Sequence, residues 1–216
     1  MAAVRDICRL GWHAYRGAPR LVRVLMTARP LICPLDVAAE AVPEGARVLD
    51  VGCGAGLWLR WLARDRRIAS GVGVDVSART IAVAAACADG EDNLRFEQRD
   101  AGAPWPDGTF DVVTAIDVLH HVPPEDQPRF VATLAEKAER RVVLKDVAPT
   151  PRWRAWANAL HDFLMTRSRV YSRPMDEVAA WLREAGLTVV RAERVHRVCY
   201  SHYLVVADRD TEKARS

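Results

Sequence analysis

Cysteine and long apolar runs are scarce in this sequence, and its charges nearly balance. The 5 cysteines are widely spaced and form no Cys-x-x-Cys pair, which indicates neither a disulfide framework nor a zinc or other metal site and predicts a reducing cytoplasm as the compartment. The 31 basic residues exceed the 28 acidic ones by only three, too few to indicate a nucleic-acid-binding protein. No apolar stretch could span a bilayer, and no secretory signal is expected.

What remains is an ordinary globular composition. The chain has 216 residues, of which 50% are hydrophobic and 27% charged. These values exclude collagen-like, coiled-coil and wholly disordered chains. A length of this order predicts one domain with a full hydrophobic core.

From Arg47 onward, short apolar runs alternate with amphipathic segments, which predicts a parallel sheet covered by helices on both faces. The predicted strands are Val48–Val51, Gly71–Val76, Leu94–Gln98, Phe110–Ile116, Val142–Lys145, Leu187–Arg191 and Tyr200–Val206. Helices are predicted at Leu57–Leu62, Ser77–Ala88, Gln127–Ala138 and Met175–Ala185.

The two ends of the chain and one interior segment fall outside this alternation. Residues 1–40 are predicted to be a helical N-terminal cap, cut into short pieces by Pro19, Pro30 and Pro34. A main domain over residues 41–207 would contain a lid insertion at residues 147–174, and residues 208–216 would form a polar tail.

The strongest local signal is a glycine-rich turn from the first predicted strand into a helix, Asp50-Val-Gly52-Cys53-Gly54-Ala-Gly56. Glycines there allow a sharp turn and close approach of a ligand. A dinucleotide fingerprint would need its third glycine where Leu57 stands. The carboxylate of Asp50, at the start of the loop, would repel a pyrophosphate and would attract a positively charged ligand. Asp75, at the end of the second predicted strand, is placed to accept bonds from ribose hydroxyls, while Ser77 caps the next helix.

Four motifs in order resemble the class I S-adenosylmethionine-dependent methyltransferases, closest to the branch that methylates small molecules and quinone or lipid precursors. They are Val48–Gly56, Gly73–Ser77, Asp100–Val113 and Val118–Val122. The resemblance implies a Rossmann-like, doubly wound sheet of seven strands with the last one antiparallel, and S-adenosylmethionine as the cofactor. It implies these cofactor contacts: Asp50, Gly52, Cys53, Gly54, Gly56, Asp75, Val76, Asp100, Ala101, Ile116 and Asp117.

Histidines follow the fourth predicted strand, where open α/β sheets bind ligands. Histidine exchanges protons near neutral pH, so His120 and His121 are candidate general bases, with His121 favoured and a structural role an equal alternative. His161, in the predicted lid, is the reserve candidate. A base is needed only if the acceptor holds its proton firmly, as a phenol does.

The segment Asp146–Arg173 is unusually rich in arginine and tryptophan. An apolar stripe that includes Trp153 and Trp156 predicts a lid helix that packs on the domain and roofs the active site. Arg167, Arg169 and Arg173 fit a solvated face, the commoner role of surface arginines, but their position beside Tyr171 also suits a carboxylate, a phosphate or an acidic carrier protein. The predicted substrate contacts are Trp153, Trp156, Tyr171 and Arg173. The basic N-terminal residues suit either helix packing or peripheral contact with an anionic membrane surface.

The sequence therefore predicts a cytoplasmic methyltransferase that uses S-adenosylmethionine and acts on a hydrophobic or aromatic small molecule, free or bound to a carrier protein. Methylation at oxygen is favoured, and methylation at carbon is the first alternative. The further alternatives are a non-catalytic cofactor-binding protein, a nucleotide-dependent oxidoreductase and an RNA methyltransferase. Net charge and the absence of an amine-methylating motif count against RNA, and the glycine spacing counts against the oxidoreductase.

Overall fold

The computed structural model describes residues 2–66, 68–88, 90–100, 103–149, 170–197 and 200–210. Its seven strands form one sheet in the order β3-β2-β1-β4-β5-β7-β6. By density of internal contacts, the chain divides into a first unit, residues 1–107, and a second unit, residues 108–216. The predicted seven-stranded, mostly parallel sheet with an antiparallel last strand is confirmed.

The first unit places three helices before a parallel three-stranded segment of the sheet. Its elements are α1 Ala2–Ala14, α2 Arg20–Ile32, α3 Leu35–Ala39, β1 Arg47–Val51, α4 Leu57–Asp65, β2 Ser70–Asp75, α5 Ala78–Cys87 and β3 Leu94–Gln98. β2 pairs in parallel with both β1 and β3. Val48 and Leu49 of β1 are fully buried, as expected of a central parallel strand covered on both faces.

The second unit carries the antiparallel part of the sheet. Its elements are β4 Phe110–Ile116, a 3₁₀ turn at Leu119–His121, α6 Gln127–Lys137, β5 Ala138–Val147, α7 Met175–Glu184, β6 Thr188–Arg197 and β7 Tyr200–Asp208. β4 and β5 are parallel, and β7 lies antiparallel between β5 and β6. Because β7 runs backwards, its first residues lie beside the carboxyl end of β5, where Val147 is opposite His202.

β5 and β7 are longer than the sequence predicts, because charged residues in them pair within the sheet. Arg141 lies opposite Asp208 across β5 and β7 and binds its carboxylate through two nitrogens at 2.6 and 2.8 Å. That hydrogen bond, more than the opposing effect of burial, raises the pKa of Arg141. β7 therefore extends two residues beyond the predicted Val206.

The predicted fifth strand ends too early. The sequence predicts this strand over Val142–Lys145 and an arginine- and tryptophan-rich segment from Asp146, but β5 continues to Val147, and Lys145 and Asp146 are both 1% exposed. Each has a buried polar partner, which sequence hydropathy does not reveal. The lid residues Trp153, Trp156 and His161 lie outside the described residues, so the predicted lid helix stays a prediction.

The N-terminal segment is helical as predicted, but only two of its three prolines separate helices. Pro19 and Pro34 immediately precede α2 and α3. Pro30 lies inside α2, which continues to Ile32. A proline removes one hydrogen bond from a helix, and so near the end of α2 this loss does not terminate it.

None of the helices that the structure describes combines the length and the apolar character needed to cross a membrane.

α1 and α2 cross at Gly11. A Cβ atom added to Gly11 would lie 2.6 Å from the carbonyl oxygen of Met26 and 2.9 Å from the Cα of Thr27. Both neighbours are backbone atoms, which cannot turn aside as a side chain would. This close approach therefore requires glycine.

We expect Gly11→Ala to lower the free energy of unfolding. Overpacking costs about 1–3 kcal/mol, and a clash with backbone atoms belongs to the upper part of that range, about 2–3 kcal/mol. The better helix propensity of alanine returns about 1 kcal/mol, so the net loss should be about 1–2 kcal/mol. Urea unfolding followed by circular dichroism measures it through the midpoint. Gly17→Ala is the matched control, because an added Cβ there meets no atom within 4 Å. Equal midpoints for the two variants would contradict this packing.

Candidate active site

The turn from β1 into α4 contains three glycines with left-handed backbone conformation. Their φ angles are 75° at Gly52, 54° at Gly54 and 82° at Gly56. The amides of Gly52 and Cys53 donate to the carbonyl of Val74 in β2, at 2.8 and 3.0 Å. The loop is therefore held against the neighbouring strand, and only glycine adopts its conformation without strain.

Gly54 and Gly56 differ in what surrounds them. A Cβ on Gly56 would lie 2.7 Å from the ring of Phe96, so this glycine is needed for packing as well as for its φ angle. A Cβ on Gly54 would meet nothing within 4 Å. The backbone at Gly54 is therefore open to the approach of a ligand.

Asp75 ends β2 beside this loop. Its Oδ2 accepts a hydrogen bond from the Gly54 amide and its Oδ1 accepts one from the Ser77 amide, each at 2.9 Å. Thr80 Oγ1 lies 3.3 Å from Oδ1 but only 2.9 Å from the Ser77 carbonyl, and its single hydrogen favours the nearer acceptor. A carboxylate offers about four acceptor positions, so two remain for a ligand.

The capping of α5 follows the sequence analysis. The Ser77 side chain accepts a hydrogen bond from the Thr80 amide at 3.3 Å. This leaves the free acceptor positions of Asp75 unused by the helix.

The other predicted cofactor contacts of the first unit vary in exposure. Val76 is 60% exposed, a large apolar surface next to Asp75. Asp100 is exposed and accepts a bond from Gln98 at 3.0 Å. Asp50 is 2% exposed. Ala101 lies outside the described residues.

Cys53, within the loop, is a buried thiol. Burial raises its pKa, and the nearby carboxylates of Asp50 and Asp75 raise it further. Cys53 therefore carries no thiolate nucleophile.

In the second unit, Asp117 follows β4 and is the one described non-glycine residue with a positive φ, 58°. Its amide donates to the Lys145 carbonyl at 2.8 Å, and its Oδ1 lies 2.5 Å from Lys145 Nζ and 3.6 Å from His202 Nδ1. Backbone and side chain are thus both bound to neighbouring strands. Such contacts are what allow a strained conformation to persist. Ile116, just before it, is 3% exposed.

His120 and Asp146 form a second buried polar pair. The Asp146 Oδ1 contacts His120 Nδ1, and its Oδ2 accepts from the His120 amide at 3.0 Å. The Val147 amide donates to Oδ1 at 2.6 Å. His121 is partly exposed and its ring centre lies 4.0 Å from that of His120. The carboxylate therefore orients His120, not the histidine that the sequence analysis favoured.

Two predicted substrate contacts lie within the described residues. The Tyr171 amide donates to the His120 carbonyl at 2.8 Å, and its own carbonyl accepts from Gln127 Nε2 at 2.9 Å. Arg173 donates to Gln127 Oε1 at 2.6 Å and lies 3.5 Å from Glu177. Gln127 thus joins this segment to the 3₁₀ turn, and the substrate roles of Tyr171 and Arg173 stay predictions.

The sequence analysis missed several polar residues at these positions. The sequence predicts Asp146 only as the first residue after the fifth strand, and Lys145 and His202 only as strand residues. The antiparallel direction expected of the last strand was the available signal for His202, since it brings the start of β7 to the carboxyl end of β5. Tyr15, whose hydroxyl contacts the glycine loop at Ala55, had no sequence signal.

Comparison with known families agrees with this geometry. Residues 28–192, more than half of the chain, match the model of a family described as a methyltransferase domain.

Two curated relatives and one solved structure illustrate the likeness. The chain is 32% identical over 171 residues to the 27-O-demethylrifamycin SV methyltransferase of Amycolatopsis mediterranei, covering 76% of this chain but only 62% of that relative. It is 31% identical to the mitochondrial ubiquinone biosynthesis O-methyltransferase of Schizosaccharomyces pombe, and the match covers 88% of this chain and 71% of that relative. Magnesium protoporphyrin IX methyltransferase of Synechocystis with bound SAH shares the fold, with a TM-score of 0.68 and 21% identity. The match covers 97% of this chain and 99% of that structure.

We expect Lys145→Met to destabilise the protein by about 3 kcal/mol or more, because removing one partner of a buried ion pair leaves the other charge uncompensated. Thermal or urea unfolding measures the loss. Adding Asp117→Asn should recover part of it, since a neutral amide needs no counter-ion and asparagine tolerates positive φ. The control is Lys137→Met, because the hydrogen bond from Lys137 Nζ to the Gly108 carbonyl is exposed to solvent. A Lys145→Met protein as stable as this control would contradict the pairing.

Proposed function

Because this chain belongs to the S-adenosylmethionine-dependent methyltransferases, we propose that it transfers a methyl group to an oxygen atom of a hydrophobic or aromatic small molecule. The proposal rests on the open glycine at position 54 beside a carboxylate with two free acceptor positions. The relatives support oxygen as the acceptor atom, since one is named for a 27-O-demethyl compound and the other is named an O-methyltransferase.

Individual residues of the first unit suit individual chemical groups of the cofactor. Asp75 would accept from the two ribose hydroxyls, and the open backbone at Gly54 would lie along the amino-acid part. The exposed side chain of Val76 offers an apolar surface for the adenine ring, and the exposed carboxylate of Asp100 offers an acceptor for its amino group. Asp50 is proposed near the cofactor's ammonium, and Ile116 and Asp117 beside its sulfonium.

When bound, the cofactor supplies a methyl carbon activated by positive sulfur. The residues of this chain would then hold the acceptor oxygen in line with that carbon and exclude water, which supplies much of the rate enhancement in such transfers. An acceptor hydroxyl must also lose its proton. For a phenol with a pKa of about 10, a general base near neutral pH accelerates this step.

We assign the general base to His120. A carboxylate bonded to one ring nitrogen keeps the proton there and leaves the lone pair on the other, and Asp146 contacts Nδ1 of His120. Nε2 would therefore take the acceptor's proton, while Asp146 stabilises the resulting imidazolium. His121 and the lid residue His161 are the alternatives for this role.

Methylation at carbon is the second candidate activity. An activated carbon acceptor would use the same cofactor contacts and would need less help from a base. A protein that binds the cofactor without turnover is the third, and only turnover separates it from the first two.

The proposed substrate carries an anionic group or is bound to an acidic carrier protein, with Trp153, Trp156, Tyr171 and Arg173 as its contacts. Cytoplasmic localisation is also part of the proposal. It is supported by the four free cysteines among the described residues, Cys8, Cys33, Cys53 and Cys87.

We expect the protein to bind S-adenosylhomocysteine with micromolar affinity and NAD negligibly. Asp75→Ala should weaken S-adenosylhomocysteine by roughly 10- to 150-fold, the loss of charge-assisted hydrogen bonds. Isothermal titration calorimetry measures both ligands. Asp92→Ala, at an exposed acid of the same unit, should bind like wild type. NAD binding, or equal affinities for Asp75→Ala and Asp92→Ala, would contradict the cofactor assignment.

With a panel of phenolic acceptors, His120→Ala should lower kcat by roughly 10²- to 10⁴-fold, as expected for loss of a general base. Because the base acts unprotonated, the wild-type rate should rise with pH through the histidine pKa, and the variant should lose this acidic limb. Cofactor affinity should stay unchanged.

His121→Ala is the matched control, and Asp146→Asn tests the orienting carboxylate. If His121→Ala loses the acidic limb while His120→Ala retains it, the two histidines have been assigned the wrong way round. If neither loses it, neither is the base.

A further inference from the structure

A tyrosine from the N-terminal segment reaches the glycine loop. Tyr15, just after the end of α1, is 0% exposed, and its hydroxyl donates to the carbonyl oxygen of Ala55 at 2.6 Å. Ala55 lies between Gly54 and Gly56, which both have left-handed φ angles. A residue 40 positions away in the sequence therefore contacts the middle of the loop.

This hydrogen bond restricts the most flexible part of the loop. The direction of the Ala55 carbonyl sets the peptide plane before Gly56, where φ is 82°. On the other side, the Gly54 amide is held by Asp75 Oδ2 at 2.9 Å. Glycine loses more conformational freedom on folding than any other residue, so a loop with three glycines depends on such contacts to stay in one conformation.

The surroundings of Tyr15 keep its hydroxyl a donor. Burial raises the pKa of Tyr15 well above its ordinary value, an effect that the nearby Arg60 opposes only in part. The Arg60 guanidinium lies 5.8 Å from the ring centre, is 4% exposed and pairs with Glu91 at 3.0 Å. The buried hydroxyl therefore stays protonated near neutral pH and can donate to the Ala55 carbonyl.

Tyr15 also lies outside the part of the chain that the family model matches, which begins at residue 28. Its contact with the loop therefore comes from outside the matched residues and adds to the motif at Gly52–Gly56.

We infer that Tyr15 is a positioning residue for cofactor binding, whose hydroxyl holds the glycine loop in its binding conformation and so couples the N-terminal helices to cofactor affinity. The inference rests on the proposed function, in which this loop binds S-adenosylmethionine. Tyr15 acts through the Ala55 carbonyl. When a binding-competent conformation is only partly populated, the apparent affinity falls by that fraction.

The test is Tyr15→Phe, which keeps the buried ring and removes only the hydroxyl. We expect S-adenosylhomocysteine to bind about 3- to 10-fold more weakly by calorimetry, the range for one neutral hydrogen bond. Tyr203→Phe is the matched control: Tyr203 is 1% exposed, and its hydroxyl has no hydrogen-bond partner within the described residues. If Tyr15→Phe and Tyr203→Phe both bind S-adenosylhomocysteine as tightly as the wild type does, the inference is overturned.

Hydrogen–deuterium exchange without ligand separates positioning from a general structural role. Tyr15→Phe should speed exchange in peptides that cover residues 52–57, while β4 and β5 exchange at the wild-type rate. Uniformly faster exchange would show that Tyr15 only stabilises the fold, and unchanged exchange in the loop would overturn the inference outright. Because this measurement uses no cofactor, it decides the inference even if the wild-type protein fails to bind S-adenosylhomocysteine, a result that would refute the proposed function instead.

Discussion

The turn from β1 into α4 must pass through three left-handed residues within five positions, and the first unit is arranged around that requirement. Glycine permits these conformations but does not select them. Selection comes from contacts outside the loop: the Val74 carbonyl, the Asp75 carboxylate and the Tyr15 hydroxyl. Packing also contributes, because the ring of Phe96 leaves room for a hydrogen but no side chain at Gly56. The result is a loop whose open face at Gly54 is already shaped for a ligand.

In the second unit the comparable constraint is the burial of charge. Lys145 and Asp146 are adjacent in β5, so their side chains point to opposite faces of the sheet. Each is 1% exposed and each meets a partner that follows β4, Asp117 on one side and His120 on the other. Since an unpaired buried charge is strongly unfavourable, these pairs determine where the segment after β4 can lie. They also explain why Asp117 keeps a positive φ and why His120 has a single orientation.

Much of the fold could be predicted because its signals are local. The bounds of β3 and β4 agree with the sequence prediction, since β4 is a mostly apolar run and β3 begins with alternating apolar and polar residues. The longer strands β5 and β7 were underestimated where charged residues extend them, as Arg141 and Asp208 do. Hydropathy treats such residues as loop formers, because a single residue does not reveal its partner across the sheet.

The sequence by itself determined the alternating strands and helices, the glycine loop and the acid at the end of β2, since periodicity, backbone conformation and strand order are properties of neighbouring residues. Only the tertiary structure decided which side chains act together. The pairs His120 with Asp146, Lys145 with Asp117 and Tyr15 with Ala55 are separated by 26, 28 and 40 positions. The first two contacts depend on strand register, because a one-residue shift in register moves a side chain to the opposite face of the sheet. The third joins the end of α1 to the glycine loop, which no pattern of neighbouring residues reveals.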